Sequence, residues 1–196
     1  MGFFSKLFGG GGESRGSSVA AAIPPDDLDA YFLAHHEIDQ AERAGDAQLK
    51  AAYRKFGLRD EEHWEEVQSA FADRHRRNPD FVMAPTRLQM RIQIEDAKAK
   101  GYQMPEGLLE PIEGIAIDRY ALINAYLDAA RAQGPDAAGQ VLRQHGVDSV
   151  AFQRIDAGWK ARLSGTSDPT AASILQNYYH TVYSQAVLFV EKGGAW

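Results

Sequence analysis

Two stretches of this chain carry the same residue types at the same spacing, about 89 positions apart. The first reads Asp29-x-Tyr31, then Gly45, Arg54 and Gly57, then Trp64-x-x-Val67-x-x-x-Phe71-x-x-Arg74. The second reads Asp118-x-Tyr120, then Gly134, Arg143 and Gly146, then Phe152-x-x-Ile155-x-x-x-Trp159-x-x-Arg162, with one residue dropped between the last glycine and the aromatic. Self-similarity of this kind constrains the fold more than any composition value, because it points to one structural unit used twice. What repeats is apolar and aromatic, so it speaks of packing rather than chemistry.

The helix signals agree between the copies. Ile23-Pro24-Pro25-Asp26 opens the first, with prolines early and acids in the first turn. Leu28, Tyr31, Phe32 and Ile38 form a helical stripe as far as about Ala44, and a second helix runs over 49–56 to Gly57. Asp60 can cap a third helix, on which Trp64, Val67, Ala70 and Phe71 share a face, and Asn78-Pro79 ends it. Residues 87–100 alternate at Leu88, Met90, Ile92 and Ile94, a strand signal, but the intervening residues favour helix and Thr86 can cap. The matching part of the second copy decides for helix: Ile174, Leu175, Tyr178, Tyr179, Val182, Tyr183 and Ala186 recur at helical spacing.

The proline- and glycine-bearing stretch 101–114 then connects the copies. Helices follow over 118–133 and 136–144, another starts at Asp148 or Ser149, and the last runs from Asp168-Pro169 to about Val190. The expectation is an all-α protein: a tail at 1–22 and two repeat units, 23–103 and 104–196. Each unit has about four helices, and the two pack as one globule.

Composition bounds the function classes. The 196 residues are 44% hydrophobic and 24% charged, ordinary globular values. Net charge is −6. Residues 24–105 hold 12 basic and 16 acidic groups, and residues 106–196 hold 7 and 10, so neither half is a basic module and no nucleic-acid partner is expected. With no cysteine, disulfides, thiolate ligands and a thiol nucleophile are excluded, which suits a cytoplasmic setting. No apolar run approaches the roughly 20 residues of a membrane span.

The tail carries Phe3, Phe4, Leu7 and Phe8 on one face of a short helix, followed by a glycine-rich linker over 9–18. The apolar stretch is too short for a secretory signal, and Lys6 stands where a myristoylation signal has Ser or Thr. These four residues are the candidate docking segment, for a partner groove or for a membrane surface. The bland alternative is an inert start.

Residues that look like chemistry have plainer readings. His35 and Asp39 lie at i, i+4, a spacing for two metal ligands, yet a site needs more, and Asn124 and Ala125 align with the His35-His36 pair. Glu61, Glu62, Glu65 and Glu66 around Trp64 read as the wet face of an amphipathic helix, and Asp73-Arg74-His75-Arg76-Arg77 as a solvated helix end. No phosphate loop, dinucleotide fingerprint or nucleophile elbow occurs. No catalytic residue, metal or cofactor is expected. Tyr178, Tyr179, His180 and Tyr183 give the last helix its aromatic density and are the candidate pocket, facing the first copy. Core packing is the competing reading. Trp64, Val67, Phe71, Arg74, Phe152, Ile155, Trp159 and Arg162 are read as structural anchors. The two arginines can satisfy terminal carbonyls or pair with an acid.

One resemblance adds to this. Leu108-Leu109-Glu110-Pro111-Ile112-Glu113-Gly114-Ile115 leads into Asp118-x-Tyr120, and Phe152-x-x-Ile155-x-x-x-Trp159-x-x-Arg162 follows. The pattern resembles an uncharacterised bacterial family, a domain of unknown function, over 108–190 and more weakly over 24–100. Phe152 departs from the family's first tryptophan, Phe71 from its second, and Ala116 from its usual serine. The resemblance implies an all-α bacterial protein and brings no activity or cofactor. The function expected is a non-enzymatic interaction or adaptor role, with a small-ligand site between the units, or membrane-surface association of the tail, as alternatives.

Overall fold

Five of the described helices begin where a short polar side chain satisfies one of the first free amides. The structure, a computed structural model, describes residues 23–131 and 134–191. The docking candidates Phe3, Phe4, Leu7 and Phe8 therefore lie outside the described residues. Among those described there are eight α-helices and no strand: α1 (Leu28–Ala44), α2 (Asp46–Lys55), α3 (Glu61–His75), α4 (Pro79–Ala99), α5 (Ile117–Arg131), α6 (Pro135–Gln144), α7 (Ser149–Gly165) and α8 (Pro169–Glu191). Asp27, Asp60, Asn78 and Asp148 each accept a hydrogen bond from a first-turn amide of α1, α3, α4 and α7. Asp168 does the same for α8.

The two similar stretches have matching backbone angles at two pairs of glycines. Gly45 joins α1 to α2 at φ 113°, ψ 171°, and Gly134 precedes α6 at φ 110°, ψ 173°. That region of backbone space is open essentially to glycine alone. Gly57 and Gly146, at φ 66° and 70°, end α2 and α6. Each donates to the carbonyl three residues back, Arg54 or Arg143, and the next amide reaches the carbonyl five back, Tyr53 or Leu142. These are the αL helix ends that the sequence spacing predicts.

The chain divides into two compact units between Arg76 and Arg77. The first holds α1–α3 and the second α4–α8, so the helices split three and five rather than about four and four. The sequence boundary at 103/104 is displaced because α4 packs along α8. Phe81, Met83, Ala84 and Leu88 are buried on α4, and Met83 belongs to the core cluster built from α5, α7 and α8. Asn78-Pro79 starts this helix instead of only ending the one before it. Thr86, expected as a cap, is buried inside α4, one residue past Pro85. A proline at the first position has no amide to waste, which favours the earlier start.

In the first unit Tyr31 and Phe32 of α1 and Trp64, Val67 and Phe71 of α3 are all buried. In the second unit α5 is the central helix, with Ala121, Leu122 and Ile123 at most 2% exposed. It packs against α6 and α8 most extensively.

Alanine at Gly45 or Gly134 forces a side chain into glycine-only backbone space. Each single substitution should lower unfolding stability by about 1–3 kcal/mol, read as a drop in the urea midpoint.

Candidate functional site

The repeated residues do the same mechanical work in each unit. Tyr31 stacks on Phe71, ring centroids 4.2 Å apart, and lies 5.7 Å from Trp64. Tyr120 stacks on Trp159 at 6.3 Å and lies 6.2 Å from Phe152. Both tyrosines are at most 1% exposed. The Asp-x-Tyr spacing thus places a ring of the first helix of each copy against the aromatic stripe of the third.

The repeated arginines hold the segment that enters each copy. Arg74 forks onto the Asp26 carboxylate, Nε to Oδ1 at 2.7 Å and Nη2 to Oδ2 at 2.9 Å. His75 Nε2 meets the Pro25 carbonyl at 2.8 Å. In the second unit Arg162 donates to the carbonyls of Leu108 and Glu110 while its guanidinium lies over the Trp159 ring at 4.8 Å. The Trp159 indole N–H donates to the Ile115 carbonyl at 3.1 Å.

Residues 112–115 form a tight turn in which Ile112 and Ile115 exchange both backbone hydrogen bonds. Glu113 (φ 49°) and Gly114 (φ 80°) turn the chain, and Arg154 grips the Glu113 carboxylate with two donors. Ile112 comes so close to α7 that a Cβ on Gly158 would stand 2.7 Å from its Cδ1. Arg154, Gly158, Trp159 and Arg162 therefore form one face of α7 given over to this segment. The Leu-Leu-x-Pro-Ile-x-Gly-Ile sequence is a strap.

The tyrosines of α8 separate into two environments. Tyr178 is buried beside Arg87 and Asp118, and burial followed by the Asp118 charge pushes its phenol up. Arg87 Nε donates to Asp118, and its Nη2 donates to Asp80 at 2.6 Å. This ties α4 to α5 with a half-buried cation on an almost buried carboxylate. Tyr178 thus meets Arg87 of α4 within the second unit.

Tyr179 and Tyr183 face α5 instead. Asn124 donates to the Tyr179 hydroxyl at 3.3 Å, and the Tyr183 hydroxyl donates to Asp128 at 2.6 Å. From α5 the Tyr120 hydroxyl donates to Asp156 of α7 at 2.8 Å. Three helices each present residues at i and i+4: Tyr120, Asn124 and Asp128 on α5, Phe152, Asp156 and Lys160 on α7, Tyr179 and Tyr183 on α8.

The Tyr183 phenol is pushed up to about 12 by its bond to Asp128 and then by burial. The Tyr120 and Tyr183 hydroxyls spend their hydrogens on Asp156 and Asp128, so this half-buried face is lined by phenol rings and carboxylate oxygens. Lys160 and Arg131 pair with the two carboxylates from exposed positions. His180 is exposed on the same helix. Sequence periodicity picks out Tyr179 and Tyr183. It misses Asn124, Asp128 and Asp156, whose only signal is the same four-residue spacing on other helices.

His35 Nδ1 lies 3.4 Å from Asp39 Oδ2, with the imidazole against the Tyr31 and Trp64 rings. Among the described residues no group of three histidine or carboxylate side chains is placed to hold a metal ion. No described helix is long and apolar enough to cross a membrane. No protein-family model matches the chain, and no curated protein or solved structure matches it.

Two substitutions probe these assignments. Arg162→Ala removes the strap's fastening and should cost about 1–3 kcal/mol, with faster amide exchange over 108–115. Asp118→Ala leaves the half-buried Arg87 with Asp80 alone and should cost about 1–3 kcal/mol, measured by urea unfolding of the same protein.

Proposed function

We propose that this protein is a non-enzymatic interaction or adaptor protein of the bacterial cytoplasm. One observation carries the reading: the residues that recur in both copies are engaged in packing and fastening. Tyr31, Phe71, Tyr120 and Trp159 are buried, Arg74 is committed to Asp26, and Arg162 is committed to the strap. A duplicated sequence spent in this way builds a scaffold, and recognition then falls to surfaces and appended segments. Phe3, Phe4, Leu7 and Phe8, on a glycine-rich tether, supply an apolar docking peptide for a protein partner, or for a membrane surface in the variant of this reading.

A second reading, small-ligand binding, is favoured by the convergence of Tyr120, Asn124, Asp128, Asp156, Tyr179 and Tyr183. Their hydroxyl, amide and carboxylate groups meet between three helices of one unit.

Affinity purification from the native host with full-length protein and with residues 23–196 separates these. The interaction reading expects a near-stoichiometric partner that is lost on truncation and on alanine substitution at Phe3, Phe4, Leu7 and Phe8. Liposome sedimentation of the same two forms distinguishes a membrane from a protein target. Absence of any partner with either form overturns the adaptor reading and leaves the tyrosine face to be tested with ligands.

A further inference from the structure

The polar groups between α5, α7 and α8 form a ladder whose rungs climb one helical turn at a time. The Tyr120 hydroxyl donates to Asp156 at 2.8 Å, Asn124 donates to the Tyr179 hydroxyl at 3.3 Å, and the Tyr183 hydroxyl donates to Asp128 at 2.6 Å. The members on α5 stand at i, i+4 and i+8. The first and third rungs, which carry the carboxylates, are therefore about 12 Å apart along that helix. Both carboxylates are partly open to solvent, at 26% for Asp156 and 39% for Asp128.

Aromatic rings run along the same ladder. Phe152 lies 6.2 Å from Tyr120, Tyr120 lies 5.6 Å from Tyr179, and Tyr179 lies 6.1 Å from Tyr183, with interplanar angles of 33°, 31° and 20°. Tyr120 is buried at the base, while Phe152, Tyr179 and Tyr183 are half-open. The face thus offers ring surface between two negative ends, a combination that attracts a cation carried on an apolar body.

The way these carboxylates are neutralised sets them apart from the structural ion pair of the same unit. Asp118 is met across helices by the half-buried Arg87. Asp128 is met by Arg131 at 2.6 Å and Asp156 by Lys160 at 2.7 Å, each from its own helix and from a side chain 77% or 68% exposed. Ion pairs so exposed are weakly held in water. Arg131 and Lys160 therefore stand where the cations of a ligand would stand, and they give way at little cost. A point charge reaches one of these carboxylates at a time, so the spacing selects an extended ligand.

We propose that this face binds a linear aliphatic polyamine, with one ammonium on Asp128, another on Asp156 and the methylenes laid on the Phe152, Tyr179 and Tyr183 rings. The proposal rests on the small-ligand reading above and names the chemical class that reading leaves open. Extended spermidine is roughly as long as the two helical turns between the carboxylates.

Titration of the full chain with spermidine at about 0.15 M salt, followed by calorimetry and amide NMR spectra, tests it. One equivalent should bind and shift amides within 120–128, 152–160 and 179–183. Asp128→Asn and Asp156→Asn keep an acceptor for their tyrosines and should each weaken binding by about threefold to tenfold. Lys160→Ala and Arg131→Ala free the carboxylates and should each tighten it by about twofold or more. Lys98→Ala, the same change of charge at the exposed Lys98–Glu95 pair of α4, should leave it unchanged. Tyr183→Phe keeps the ring and should hold affinity within about twofold, whereas Tyr183→Leu should lose about threefold. Putrescine, too short to reach both carboxylates, should bind about tenfold more weakly or worse.

Affinity that neither asparagine variant changes, or equal tightening by Lys98→Ala, overturns the proposal. The polyamine is then drawn by the net charge of −6 rather than by this face. If the dianion suberate or the neutral tetraethylene glycol shifts these amides and spermidine does not, the polyamine assignment falls and the small-ligand reading stands. If all three leave the face unshifted, the proposal is overturned, and a fragment library that also leaves it unshifted removes the small-ligand reading too. Should an asparagine variant fail to fold, the comparison of Lys160→Ala and Arg131→Ala with Lys98→Ala decides by the same criterion.

Discussion

A tyrosine ring laid against a buried aromatic is the contact on which each unit depends. Tyr31 on Phe71 and Tyr120 on Trp159 join the first helix of each copy to the third. Fully burying such side chains stabilises by roughly 1.5–3 kcal/mol each, and the ring pairing adds about 0.5–1.5 kcal/mol. Helices of this length draw most of their stability from such packing, so the order of the intervening turn follows from this contact. With both helices pinned, the connecting helix must close the gap within ten residues, and Gly45 and Gly134 supply the backbone that lets it do so.

The aromatic stripe also fixes where the entering chain runs. Trp159 presents its N–H to the Ile115 carbonyl, and Arg162, one turn on, is held over its ring with donors free for Leu108 and Glu110. Gly158 lets Ile112 approach closely, and Arg154 offsets the unfavourable positive φ of Glu113 by binding its carboxylate. The first unit reaches the same end by other chemistry, with Asp26 and Pro25 taken by Arg74 and His75. A charge pair replaces carbonyl bonds, yet the entering segment is fastened to the end of the third helix in both. That shared mechanical role explains why the arginines recur without requiring a ligand.

Differences between the copies lie on the same framework. Where the second unit has Asn124 bonded to Tyr179, the first has His35 beside Trp64, and Phe152 stands where the first has the larger Trp64. The second unit's version is half-open and lined with phenols and carboxylates, whereas Tyr31, His35 and Trp64 are closed to solvent. The same helical positions have become a polar face in one unit and a histidine-containing core in the other.

Much of this was legible in the residues themselves. Helix identity, the caps at Asp60 and Asp148, the glycine stops and the aromatic stripes follow from short-range rules, because each depends on neighbours within a turn or two. The helical state of residues 87–100 was decided by the copy, since alternation alone reads as strand. What only the tertiary structure decided are the pairings between faces. α4 carries apolar residues that suit more than one neighbour, and its packing along α8 depends on Met83, Arg87 and Asp118 meeting in space. Tyr183 with Asp128, and Ile112 with Gly158, are likewise contacts across 55 and 46 positions of chain. Periodicity names the face of a helix but not the face it meets, because that choice is made by the free energy of the whole core.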